Sequence, residues 1–104
     1  MAFNGKEGTV ISLSTASGWT ANYRNQMGMT DPKGHFFGME RFNEILAQTG
    51  CIGIRIYHGI DDNGQKVLIM VGAKANEDDI DNGIIVDKAV RCPPYCGRAN
   101  NLNS

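Results

Sequence analysis

The chain predicts an α+β domain: two helices packed on one face of a small antiparallel sheet built around a 51–60/65–73 β-hairpin, with a third strand near 83–87. Two apolar, β-branched runs, CIGIRIYHGI and KVLIMVGAK, are joined by Asp62-Asn63-Gly64-Gln65, and Asn-Gly between such runs is a strong short-range hairpin signal. Two further stretches carry apolar residues at helical spacing.

The elements follow in chain order. Residues 1–9 are polar and Gly-containing and are expected to be flexible. In VISLSTASGWTANYRNQMG, Ile11, Ala16, Trp19, Tyr23 and Met27 recur with a helical period, so a helix is expected over 13–26. Ser12 or Ser14 supplies its N-cap oxygen, Gly28 its left-handed stop, and Trp19 and Tyr23 are expected in the core. Asp31-Pro32-Lys33-Gly34 reads as a turn, and Phe36-Phe37 as a short strand or clamp. Met39, Phe42, Ile45, Leu46 and Thr49 then mark the buried face of a second helix that Gly50 ends.

If Asn63 and Gly64 are the central residues of a type I′ turn, both with φ > 0, the hairpin register is fixed. Ile60 then faces Val67, His58 faces Ile69, Ile56 faces Val71 and Ile54 faces Ala73, which gives a dense apolar face toward the helices. The opposite face carries Arg55, Tyr57, Leu68 and Met70 among glycines. An acidic loop (76–83), a strand in Gly83–Val86 and an irregular tail complete the chain, with 97–104 expected to be flexible.

At 104 residues the sequence reads as one domain. Ten basic residues against eleven acidic ones give a net charge of −1, which speaks against an electrostatic nucleic-acid binder. No apolar run is long enough to span a bilayer and no secretory pattern is visible, so a cytoplasmic protein with no membrane partner is expected.

The WTANYR helix, the HFFG before the second helix, LAQTGCIGIRIYHGIDDNGQKVLIMVGA and the closing CPPYCGRANNLN together resemble a family of small bacterial proteins of about this length with no assigned activity. The resemblance covers nearly the whole chain. It implies that hairpin and Cys-Pro-Pro tail belong to one module, and it transfers no catalytic residue.

Four readings are open for Cys92-Pro93-Pro94-Tyr95-Cys96: packed reduced thiols, a local disulfide, two ligands of a zinc site, or a redox pair. Zinc needs two more ligands, and Cys51, His58 and His35 are the Cys and His residues left to supply them. Cys51 with either histidine could also form a nucleophile–base pair. Arg55 could clamp an anion while Tyr57 donates to it; the plainer alternative is Arg55 lying over Leu68 and Met70 and paired with a carboxylate of the tail. The acidic residues do not follow the EF-hand spacing and the glycines form no nucleotide loop. With no acid–base constellation, the sequence favours a non-enzymatic binding module whose partner is a protein, itself included, reached through the face of Arg55, Tyr57, Leu68 and Met70. No cofactor is expected; zinc at Cys92 and Cys96 is the alternative, and a Cys-dependent enzyme ranks third.

Overall fold

The structure, a computed structural model, describes residues 1–27 and 31–103. Its elements are α1 (Leu13–Gln26), β1 (Gly34–Phe36), α2 (Met39–Leu46), β2 (Cys51–Ile60), β3 (Lys66–Lys74), β4 (Ile85–Val86) and β5 (Val90–Cys92). The α+β class, the hairpin and the strand near 83–87 are all present. The strands form two antiparallel sheets, one ordered β2-β3-β4 and one of β1 with β5. The chain gathers into two compact units, Met1–Gly8 with Phe37–Ala89, and Thr9–Phe36 with Val90–Ser104. Among the described residues no helix is long and apolar enough to cross a membrane.

In the first unit α2 lies on β2 and β3. Ile45 of α2, Met70 of β3 and Val86 of β4 form the core, and Phe37, Cys51, Ile54 and Ile84 pack against it. The close approach of helix and sheet depends on Gly72. A Cβ there would stand 2.8 Å from the Cys51 Sγ, 3.1 Å from Gln48 Nε2 and 3.2 Å from Ile45 Cγ2. Gln48, just past the helix, donates to the Ile45 carbonyl and accepts from the Ile84 N–H, which ties the helix end to the strand that follows the acidic loop. Of the face expected to be buried, only Ile45 is fully so; Met39, Phe42 and Leu46 keep substantial exposure because an eight-residue helix covers little of the sheet.

The hairpin corrects the expected register by one residue. Ile60 pairs with Lys66, His58 with Leu68, Ile56 with Met70 and Ile54 with Gly72. The physical cause is the turn. Asp61 N–H donates to the Gln65 carbonyl and Gly64 N–H to the Asp61 carbonyl, so the loop has three residues, not two. Gly64 has φ +78° and Asn63 is not among the residues of positive φ, which is a type I turn followed by a left-handed glycine. The Asp61 side chain selects it, since its Oδ1 accepts from both the Asn63 and Gln65 N–H groups. Because side chains alternate along a strand, the one-residue shift moves Leu68 and Met70 to the α2 side, and puts Val67, Ile69, Val71 and Ala73 with Arg55 and Tyr57.

The same loop recurs after β3. Lys74 N–H donates to the Asp78 carbonyl and Glu77 N–H to the Lys74 carbonyl, with Glu77 at φ 78° in the position that Gly64 holds in the first turn. It returns residues 78–80 along β3, with Asp79 bridged to Ala73 and Ile80 N–H bonded to the Gly72 carbonyl. β3 is therefore flanked on both sides, and Met70, Val71 and Ala73 are buried.

In the second unit α1 has the expected bounds. Ser12 caps it, its hydroxyl oxygen accepting from the Thr15 N–H. The expected stop, Gly28, lies outside the described residues. The core placement of Trp19 and Tyr23 is corrected: they are 62% and 40% exposed, and α1 buries no residue completely. β1 pairs with β5, so Arg91 and Cys92, expected to begin the irregular tail, lie in a strand, and residues 97–103 fold back by hydrogen bonds to Arg24 and Lys33.

Candidate functional site

The chemistry of the first unit collects on the sheet face away from α2. Arg55 and Tyr57 project from it on β2, and Asp79 reaches the same face from the returning loop. The register sets the small Ala73 and the buried Val71 on that face, between the strands that carry Arg55 and Asp79. Arg55 Nη1 donates to Asp79 Oδ1, and to the Glu77 carbonyl at 3.0 Å. The Tyr57 hydroxyl donates to Asp79 Oδ2. One carboxylate thus accepts from both groups, and Phe3 of the N-terminal segment lies over the guanidinium, 5.3 Å from ring centroid to Cζ. Phe3 N–H donates to the Ala75 carbonyl, and the N-terminal ammonium stands 3.4 Å from Glu77.

The electrostatics follow from this geometry. The hydrogen bond from Tyr57, with the Arg55 guanidinium beside it, holds the Asp79 carboxyl below its usual range. The hydrogen bond to Asp79 raises Tyr57 above an ordinary phenol, and the same carboxylate raises Arg55. Each charge is matched within the chain. The anion that Arg55 and Tyr57 were read as holding is the chain's own Asp79, so the cluster is a clasp that fixes the 76–82 loop to the sheet.

Compared with protein-family models, curated proteins and solved structures, the chain matches none of them. Its function is therefore argued from its own surfaces.

The remaining sequence candidates fall apart in space. Met70 is fully buried beneath α2 and Leu68 is half-buried on the same side, so neither shares a surface with Arg55 and Tyr57. Cys92 and Cys96 are bonded to each other as a disulfide, and a disulfide sulfur is not a thiolate ligand. Cys51 is a free thiol, half-buried, donating to the Gly53 carbonyl at 3.2 Å. His58 lies seven positions along the same strand, about 20 Å away at the rise of a β-strand, so the two cannot act as nucleophile and base. His35 sits in β1 opposite Arg91, its Nε2 shielded from solvent and without a hydrogen-bond partner among the described residues. Among those residues no three His, Cys, Asp or Glu side chains gather as metal ligands.

What the sequence reading missed is an edge. β2 is the outer strand of its sheet. Since Asp61 N–H bonds across the hairpin, the alternation of an antiparallel ladder turns the odd-numbered residues of β2 toward β3. The N–H and C=O groups of Ile54, Ile56, His58 and Ile60 then point outward, and no backbone hydrogen bond from the described residues meets them. A cleft of about 330 Å³ runs beside this edge, lined by Ile52–Ile56, Ala73, Phe3 and Glu7. Ile56 and Ile60, at 48% and 74% exposure, leave the α2-side face beside the edge apolar. The signal was in the sequence, since neither Pro nor Lys interrupts 51–60, but which side of the strand stays open is a matter of topology.

Proposed function

We propose that this chain is a non-enzymatic binding module that self-associates by pairing the open edge of β2 with the β2 edge of a second copy. One observation carries the reading: beyond Ile52, where the N-terminal segment packs at Gly5, the edge strand has outward backbone groups at Ile54, Ile56, His58 and Ile60, and neither Pro nor Lys interrupts it. The edge is self-complementary. An antiparallel two-fold register that uses all four outward residues sets Ile54 against Ile60 of the second copy and Ile56 against His58 of the second copy. Tyr57 then meets Tyr57 of the second copy near the axis, and Arg55 meets Gly59 of the second copy, so no like charges oppose one another. The exposed Ile60 gains an apolar neighbour, and a net charge of −1 per chain repels little.

The test is light scattering and sedimentation over a concentration series. A dimer is expected at micromolar concentration. His58→Pro removes an outward N–H and leaves the bonds to β3 in place, so it is expected to give a monomer with unchanged circular dichroism. A wild-type chain that stays monomeric through hundreds of micromolar, or a His58→Pro variant that dimerises as well as wild type, overturns the proposal. The zinc alternative loses Cys92 and Cys96 to their disulfide, and a Cys51-dependent enzyme loses His58 as its base to the length of β2.

A further inference from the structure

We propose that the Cys92–Cys96 disulfide is a redox latch that holds the C-terminal tail on the second unit. The argument rests on that unit alone and does not depend on self-association. The described residues of Thr9–Phe36 and Val90–Ser104 include none that is fully buried, so no fully buried apolar cluster holds the parts of this unit together. Its sheet is two strands of three residues, β1 and β5, and a pair that short is marginal in water. What binds the tail is polar. Arg24 Nη1 donates to the Leu102 carbonyl at 2.7 Å, and Lys33 Nζ to the Asn103 carbonyl at 2.7 Å. Within the tail itself, Asn103 Nδ2 donates to the Cys96 carbonyl at 3.0 Å and to the Arg98 carbonyl at 3.1 Å, which closes residues 96–103 into a loop. All but the Asn103–Cys96 bond are solvent-exposed, and such bonds are individually weak.

The disulfide sits where these contacts converge. Cys92 ends β5, and its carbonyl accepts the Lys33 N–H; Cys96 is the residue whose carbonyl Asn103 grips. The bridge therefore joins the last ordered strand to the base of the loop that Asn103 closes, and sets the direction in which residues 97–103 leave toward Arg24 and Lys33. Reduction by a small dithiol breaks the sulfur–sulfur bond, passes two electrons and two protons to the chain as two thiols, and leaves the reagent as its own cyclic disulfide. Only the exposed bonds from Arg24 and Lys33 then tie the tail to the rest of the unit, and residues 93–103 detach from α1 and Lys33.

The experiment uses the full chain carrying Cys51→Ser, so that every thiol reaction reports on Cys92 and Cys96. Limited trypsinolysis after Arg98 is followed with and without dithiothreitol, alongside amide exchange. Reduction is expected to raise cleavage after Arg98 by about tenfold, because the closed ring no longer limits the open population. A Cys92→Ser/Cys96→Ser variant is expected to match the reduced chain without reagent. Exchange at Val71, in the core of the other unit, should not change. Equal cleavage of oxidised and reduced chains overturns the latch, and so does reduction that deprotects Val71 as strongly as the tail.

Discussion

Asp79 is the residue on which the sheet face turns. It lies in an acidic stretch that, read as sequence, is a solvated loop; nothing in NEDDIDNG distinguishes it from Asp78 or Asp81. The bridge to Ala73 selects it, because it places this carboxylate on the face of Arg55 and Tyr57. Its pKa is lowered in the folded chain, so its stabilising contribution is complete above the ordinary carboxylate value of about 4 and is lost as pH falls through the lower folded value. The gap in melting temperature between wild type and Asp79→Asn should be widest near neutrality and close in strong acid. Tyr57 behaves with the opposite sign. Its pKa is raised, so its contribution is intact below the ordinary phenol value of about 10 and fades as pH climbs through the folded value. Tyr57→Phe should therefore differ from wild type at neutral pH and converge with it in alkali; a gap that widens there contradicts the hydrogen bond. On the other face Met70 is a core residue, and Met70→Ala should cost about 2–5 kcal/mol in urea unfolding with an unchanged m value.

At the scale of elements, one residue in a turn decides two faces. Asp62-Asn63-Gly64-Gln65 announces a hairpin, and the hairpin is there, but the Asp61 carboxylate closes a three-residue loop in place of a two-residue one. Side-chain capping of this kind depends on a residue outside the two turn positions, so the dipeptide signal alone misassigns the register. The recurrence of the loop after β3 makes a sharp prediction. Glu77 occupies the left-handed position at φ 78°, which costs an L-residue about 1 kcal/mol or more. Glu77→Gly should stabilise the chain by roughly 0.5–1 kcal/mol, since the Arg55 bond to residue 77 uses the backbone carbonyl and survives the change. Gly72→Ala should do the reverse, by about 1–3 kcal/mol, because Cys51, Gln48 and Ile45 leave no space for a methyl group. Denaturant midpoints measure both.

For the whole molecule, stability is expected to be uneven. Every fully buried residue among those described belongs to the unit of Met1–Gly8 and Phe37–Ala89. Amides at Met70–Ala73 should therefore exchange far more slowly than those of α1, whose helix has a sound cap but no fully buried residue. Uniform protection across both units in native-state exchange would contradict this. The sequence by itself determined the element types: the capped helix over 13–26, a second helix (which stops at Leu46 with Ala47 as its cap, short of the expected Gly50), the hairpin and the strand near 85, because each rests on local periodicity and turn chemistry. Only the tertiary structure decided which residues share a face, that Asp79 is the partner of Arg55, that Trp19 stays exposed, that Cys92 and Cys96 join, and that β2 keeps an open edge. Apart from the local Cys92–Cys96 bridge, those outcomes depend on contacts between residues far apart in the chain or on a register that a single side chain shifts, and neither leaves a period in the sequence.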